Sequence, residues 1–211
     1  MTRINAGNFF SESEKEKIST LVKNAERETS GEIAVMVVDA SDSYREAEFL
    51  GAVLLSAFIA LVFAVALHLV TIWSYVPAVI VFWFPALYFM RRFPRFKLTL
   101  AGKKRLDEAV RERAIRAFFE KELYRTREET GVLVFISTLE HKVWILGDRG
   151  IHERINPQLW QELSGELAGN IRKGHAFAGM CTVIEKLRGV LKEHFPPAEN
   201  DTNELPDEVI F

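Results

Sequence analysis

Formal charge is missing from a long central part of this 211-residue chain. The sequence has 27 Lys and Arg and 29 Asp and Glu residues, and all of them lie outside residues 49–90. That uncharged segment contains a single histidine, His68. Helices of water-soluble proteins rarely run so far without a charge, so this segment differs in kind from the charged segments that flank it.

The sequence also lacks the short motifs of several enzyme classes. It contains no HExxH, GxSxG or GxxxxGK[ST] pattern, and its single cysteine, Cys181, excludes a CxxC pair. Zinc protease, serine hydrolase, NTPase and dithiol redox functions are therefore without support. The net charge of −2 argues against a generally nucleic-acid-binding chain.

The uncharged segment has the length of two membrane spans. One span takes roughly 20 helical residues, so the segment predicts two spans, at about residues 49–72 and 75–91, with a turn near "TIWSYVP". Residues at or near the predicted span ends are Phe49, Ile72, Tyr75 and Met90. The alternative is a buried helical hairpin in the core of a soluble protein. His68 falls in the first span, either as a relay or as a packed neutral side chain.

Basic residues follow the second predicted span directly. Four of them occur within seven positions: Arg91, Arg92, Arg95 and Lys97. Because Lys and Arg in short flanking segments are retained on the cytoplasmic side, we expect both termini and the soluble domain to be cytoplasmic. The same "RRFPRFK" segment is also suited to anionic lipid.

The charged parts of the chain predict one discontinuous domain. Strands are predicted at residues 32–38, 132–138 and 142–147, and helices at 11–28, 102–124 and 177–194. A further helix is predicted to start at Pro157 and to be closed by Gly174. The first segment alone offers one helix and one doubly buried strand, so that strand needs the later sheet. We therefore predict a three-layer α/β/α sandwich with a small mixed sheet, made of residues 1–44 and 99–195. A transmembrane hairpin, 45–98, interrupts it, and a tail, 196–211, follows.

Several motifs in these segments resemble the TPM domain family. They are "TSGEIAVMVV", "TGVLVFIS", "HKVWILGDRGI" and "IRKGHAFAGMCTVIEKL". The whole chain is similar to a bacterial subgroup with an inserted hairpin, which implies a multi-pass protein of the bacterial inner membrane. The resemblance implies an α/β/α sandwich. Some family members are described as acid phosphatases or as calcium-binding, and others are interaction modules.

The predicted topology gathers polar residues at the end of the sheet where the first two strands start and the third ends. This distal cluster comprises Glu32, Arg127, Glu129, Asp148, His152 and Glu153. Carboxylates from separate loops suit a hard cation, with Glu129, Asp148 and Glu153 as candidate ligands for calcium or magnesium. Glu129 matches an acidic position of the family pattern, whereas His152 departs from it. The alternatives are capping and solvated residues, or a protein-docking face.

Two further features are candidates for smaller roles. Asp39 and Asp42 in "DASDS", at the predicted membrane-proximal end, suit a cation or simply a turn before a helix. Apolar residues return at the end of the tail, which predicts that Leu205, Val209 or Ile210 docks on the sandwich; the alternative is a disordered terminus.

Two functional hypotheses follow. The first is a cytoplasmic, membrane-anchored interaction module that aids assembly or quality control of membrane proteins. Its expected partners are the lipid bilayer and a membrane protein, without nucleic acid. The second, by analogy to the family alone, is a phosphatase that depends on calcium or magnesium. The absence of a recognisable nucleophile–base pair favours the first.

Overall fold

The computed structural model describes residues 6–68, 71–126, 129–197 and 209–210. The elements of these residues, in chain order, are a short 3-10 helix (Ala6–Asn8), α1 (Glu12–Glu26), β1 (Glu32–Val38), α2 (Arg45–Ala66), α3 (Ile72–Arg92), α4 (Pro94–Glu120), β2 (Gly131–Ser137), β3 (Lys142–Gly147), α5 (Arg149–Arg154), α6 (Pro157–Arg172) and α7 (Ala176–His194). Two compact units are formed, Met1–Ser41 with Ala109–Phe211, and Asp42–Glu108. That residues 1–44 and 99–195 fold as one domain without the hairpin stays a prediction.

The first unit is built on a small mixed sheet with the strand order β1-β2-β3. β1 pairs with β2 in parallel, with Val35 opposite Val134, and β2 pairs with β3 antiparallel, with Phe135 opposite Trp144. Every residue of β1 and β2 is buried, whereas burial alternates along β3. The predicted entry of residues 32–38 into the later sheet is confirmed.

Helices cover both faces of this sheet. Ile33, Val35 and Val37 of β1 point into a core shared with α1, α6 and α7. Ala34 and Met36 point to the other face, where the second half of α4 packs through residues such as Ala114. Because successive side chains of a strand alternate between faces, a strand covered on both sides is apolar throughout. The α/β class and the small mixed sheet are therefore as predicted.

Local signals in the sequence set several helix ends. The Glu14 carboxylate accepts from the backbone N–H of Ser11 at 2.8 Å, which forms the capping box that starts α1. The Asn156 side chain accepts from the N–H of Gln158 at 3.0 Å, and Pro157 follows as the first residue of α6.

The helix before β2 differs from the predicted range of 102–124. It begins earlier, at Pro94, ends earlier, at Glu120, and is interrupted at Gly102, whose φ of 77° is not helical. Proline suits a helix start because its missing N–H would have no partner there. Glu122, with φ 57°, turns the chain after the helix.

The second unit contains the uncharged segment as two helices, which are long and apolar enough to cross a membrane. The predicted turn was placed too late. α2 ends at Ala66 and α3 begins at Ile72, so Pro77 lies inside α3 rather than in its first turn. His68, with φ 55°, lies in the left-handed region two residues after the end of α2, rather than within the first predicted span.

Hydrogen bonds fix the start of the second of these helices. The Thr71 carbonyl accepts from the N–H of Ser74 at 3.1 Å and from its hydroxyl at 2.9 Å. The sequence of this connection, "ALHLVTI", has no formal charge and no Gly, Pro, Asn or Asp, so it contains no strong turn signal.

Small side chains let α2 and α3 approach each other closely. On α2 the buried residues within the uncharged segment are Gly51, Ala52, Ser56, Ala60 and Ala64. A Cβ atom at Gly51 would lie 2.4 Å from the Cε of Met90 in α3. Membrane helices associate through small residues of this kind, because the close approach of two backbones gains dispersion contacts.

Candidate functional site

The sheet has two ends at which polar residues gather. Glu32 and Thr130 stand at the start of β1 and β2, and Asp148 follows the last residue of β3. The backbone ties this end together, because Asp148 N–H donates to Gly131 O at 2.8 Å and Glu32 N–H donates to Thr130 O at 3.2 Å. The predicted placement of Glu32, Glu129 and Asp148 at one end of the sheet thus agrees with the strand directions.

Asp148 is the helix cap of α5, a short helix that the sequence did not predict. One carboxylate oxygen accepts from the N–H of Arg149 at 2.7 Å. The other oxygen, Oδ2, is buried and has no hydrogen-bond partner among the residues that the structure describes. The role of Asp148 as the N-cap therefore explains the hydrogen bond of one carboxylate oxygen but not the burial of the other.

Burial raises the pKa of the Asp148 carboxyl above its ordinary value. The hydrogen bond from the Arg149 N–H acts against this shift, and the negative charge of Glu129 adds to it. Glu129 is exposed and has a left-handed backbone with φ 54°. The charge of Glu129 therefore acts on Asp148, whereas the sequence predicted only that the two residues share one end of the sheet.

The other members of the distal cluster have different surroundings. Glu153 is exposed and accepts from the Nε of Arg149 at 3.1 Å, one turn earlier in α5. His152 is also exposed, and its backbone N–H bonds Asp148 O at 3.0 Å. Glu32 is buried at the start of β1. Arg127 lies outside the described residues.

A cation site made of Glu129, Asp148 and Glu153 stays a prediction. Among the residues that the structure describes, no three His, Cys, Asp or Glu side chains are grouped so that they could hold a metal ion. Glu153 instead forms an ion pair with Arg149. A hard cation needs several oxygen ligands around one point, and the described carboxylates do not supply that arrangement for calcium or magnesium.

The proposed proximal residues Asp39 and Asp42 each have a local partner. Asp39 Oδ1 accepts from the N–H of Ala6 at 2.5 Å, which ties the 3-10 helix to the end of β1. Asp42 accepts from the N–H of Ser43 at 2.6 Å and pairs with Arg105 at 2.5 Å. These contacts are those of a turn and an ion pair, in line with the simpler of the two interpretations.

A buried carboxylate at the carboxyl ends of β1 and β2 was not selected from the sequence. Glu140 is buried, accepts from the N–H of Ser41 at 3.0 Å, and is hydrogen-bonded by the hydroxyl of Ser137, which is also buried. A buried charge must be met by donors, and these bonds hold the loop after β1 against the β2–β3 turn. Its signal in the sequence is a serine that ends a buried strand three residues before a glutamate.

Together, the three-stranded mixed sheet and its two helix layers define an α/β protein with polar residues at both ends of the sheet. Residues 99–190 match the family model described as the TPM domain. The fold is similar to the NMR structure of the BA42 protein from the psychrophilic bacterium Bizionia argentinensis. The TM-score is 0.59 at 19% identity, over 96% of this chain and 94% of that chain. A search of curated proteins gave no match.

Proposed function

We propose that this protein is a TPM-like interaction module, anchored by a helical hairpin in the bacterial inner membrane, that binds membrane proteins and aids their assembly or quality control. The observation that carries the proposal is the exposure of large apolar side chains on α2 and α3. Phe58, Ile72, Trp73 and Phe84 are 63%, 71%, 87% and 65% exposed. Soluble proteins rarely expose continuous apolar surface of this extent.

The dimensions of the helices agree with a bilayer. α2 has 22 residues and α3 has 21, which corresponds to about 32 Å of helix each and suits a hydrocarbon core of about 30 Å. The buried share of their most apolar windows is 28% and 6%, so most of this surface faces outward. A hairpin in the core of a soluble protein would bury these side chains, and this supports the membrane alternative.

Charge at the two ends of the hairpin supports the proposed orientation. Arg91 and Arg92 are in the last turn of α3, and Glu46 and Glu48 are in the first turn of α2. The connection at residues 67–71 contains no Lys, Arg, Asp or Glu. Because the basic end of a hairpin is retained in the cytoplasm, we place both termini and the TPM domain there.

A phosphatase is a second candidate function, and one observation favours it. A buried carboxylate oxygen without a described partner, as in Asp148, together with a raised pKa, is typical of reactive sites as well as of capping residues. The pairing of Glu153 with Arg149 does not suit a three-carboxylate metal centre, so we give the interaction module preference.

One experiment separates the two functions. The tagged full chain is expressed in bacteria, membranes are washed with alkaline carbonate, and proteins retained on the solubilised chain are quantified by mass spectrometry. A chain in which a Gly/Ser linker replaces residues 49–90 is the control. We expect membrane retention and enrichment of membrane proteins only with the intact hairpin. Hydrolysis of p-nitrophenyl phosphate that needs calcium or magnesium and is lost in Asp148→Asn would instead establish the phosphatase.

A further inference from the structure

The outer edge of β1 is a place where another strand can pair. β1 is the first strand in the sheet order, so only one of its sides is hydrogen-bonded to β2. The N–H of Glu32 points to the β2 side, and by alternation the backbone groups of Ile33, Val35 and Val37 point outward. An apolar strand edge of this kind is a ready template for an extended segment.

The C-terminal segment of the chain is paired with this edge. Ile210 N–H donates to Val35 O at 2.8 Å, and Val37 N–H donates to Ile210 O at 2.9 Å. These two bonds are the pattern of a parallel bridge, which joins Ile210 to Met36. The bridge connects residues that are 174 positions apart, so it is a tertiary contact and not a local turn.

The side chains of the docked segment fill both layers of the sandwich. Val209 packs against the core shared by α1, α6 and α7, and Ile210 packs against the core beneath α4. Neighbouring residues of a strand point to opposite faces, so two adjacent apolar residues extend both cores by one strand. This agrees with the predicted docking of Val209 or Ile210, whereas Leu205 lies outside the described residues.

Other parts of the chain limit the length of the open edge. The N–H of Ile33, the outward group nearest the start of β1, donates to Glu26 Oε1 of α1 at 2.9 Å. Beyond the end of the strand, the Asp39 side chain accepts from Ala6. The open edge is therefore centred on Val35–Val37, which is sufficient for a short extended peptide.

We propose that this β1 edge, centred on Val35–Val37, is a peptide-docking site that the C-terminus occupies in cis. The partner that it fits is an extended protein segment with two adjacent apolar residues, running parallel to β1. Main-chain bonds to Val35 and Val37 provide affinity, and the two flanking cores select for apolar side chains. The inference rests on the proposed function in one respect, that the domain acts by binding proteins, and it assigns that binding to a surface.

The test uses the full chain in detergent, a chain that ends at Pro197, and the full-length variant Ile210→Asp. The probe is a fluorescent peptide with the sequence NELPDEVIF, and the control peptide carries Asp at the position of Ile210. We expect the probe to bind both altered chains at least about tenfold more tightly than the unaltered chain, because a tethered segment competes at an effective concentration of the order of millimolar. The control peptide should not bind.

Residue-resolved hydrogen exchange gives the second readout. The Val37 amide should exchange faster in both altered chains and recover protection when the probe is added, while the Met36 amide, which faces β2, stays protected. Equal affinity of the probe for all three chains, or no binding to folded Ile210→Asp, would overturn the proposal. Carbonate-resistant membrane retention of the same chains is measured in parallel and reports on the proposed function separately.

Discussion

Arg91 donates from its Nε atom to a carboxylate oxygen of Glu48 over 2.7 Å, although the two residues are 43 positions apart. Glu48 stands in the first turn of α2 and Arg91 in the last turn of α3, so this contact closes the basic end of the hairpin. Lys97 Nζ lies 3.9 Å from the other oxygen of Glu48 and donates to Ser43 O at 3.0 Å. An acid at a helix N-terminus and a base at a helix C-terminus are each favourable with respect to the helix dipole.

Removing the charge of Glu48 should therefore weaken the hairpin. The Glu48 side chain is only 14% exposed, so Glu48→Gln should lower the free energy of unfolding in detergent by about 0.5–1 kcal/mol. Glu46→Gln, on an exposed side chain of the same helix turn, should have a smaller effect. Thermal or SDS unfolding in micelles measures both. Equal destabilisation by the two substitutions would show that the Arg91 contact contributes nothing specific.

Enlarging a small residue between the two helices should separate them. Ala60 is fully buried, so Ala60→Leu should destabilise the hairpin by about 1–3 kcal/mol through overpacking. Val62 is 54% exposed on the same helix, and Val62→Leu should be nearly neutral. Unfolding of both variants in the same detergent tests this pair. A neutral Ala60→Leu would contradict the close approach of α2 and α3.

The glycine that opens β2 should not tolerate a side chain. A Cβ atom at Gly131 would lie 2.3 Å from the backbone oxygen of Leu123, which cannot move aside as a flexible side chain can. Gly131→Ala should therefore cost about 1–3 kcal/mol. At Gly165 in α6, a Cβ atom would meet no described atom within 4 Å, and Gly165→Ala should stabilise the helix by about 0.5–1 kcal/mol. Denaturant unfolding measures both variants, and a stabilising Gly131→Ala together with a destabilising Gly165→Ala would contradict this prediction.

Asp148→Asn should stabilise the folded chain at neutral pH. The pKa of Asp148 is raised in the folded state, so the folded protein binds this proton more tightly than the unfolded chain does. The free energy of unfolding therefore decreases as the pH rises from about 3.9, the pKa of Asp in the unfolded chain, through the pKa of Asp148 in the folded state. Above the folded pKa, Asp148 is charged in both states and the destabilisation has reached its full size. Asn removes that cost and still caps α5.

The pH dependence provides the check for this substitution. The advantage of Asp148→Asn should disappear as the pH falls below about 4, where wild-type Asp148 is protonated in both states. Asp148→Ala removes the hydrogen bond to Arg149 as well and should cost about 1 kcal/mol. An Asn variant that is less stable than wild type at pH 7, with a gap that widens as pH rises, would contradict the raised pKa.

Much of the fold is contained in local patterns of the sequence. β1 is apolar at every position except Glu32, which predicted a strand covered on both faces and therefore a partner sheet. The helix start at Asn156 and Pro157 followed from capping chemistry alone. The uncharged segment predicted two helices because an apolar stretch of this length, without a single charge, is typical of membrane spans.

Other features depend on contacts that no local pattern contains. The turn between α2 and α3 is set by the left-handed backbone of His68 and by the Thr71–Ser74 hydrogen bonds, within an apolar stretch that offers no break. Glu153 forms an ion pair with Arg149 on the same short helix, and α5 itself was not predicted. The pairing of Ile210 with β1 requires knowing which edge of the sheet is open.

We propose that α2 and α3 cross the membrane as a hairpin with both ends in the cytoplasm. The most direct test is thiol labelling in a Cys181→Ser background, with one probe at Thr71→Cys beside the hairpin turn and one at Lys173→Cys on the TPM domain. Both positions are exposed. With an impermeant maleimide on intact bacterial cells, we expect labelling at position 71 only, and labelling at position 173 after lysis. Labelling of 173 but not 71 on intact cells would contradict it, as would recovery of the chain in the soluble fraction.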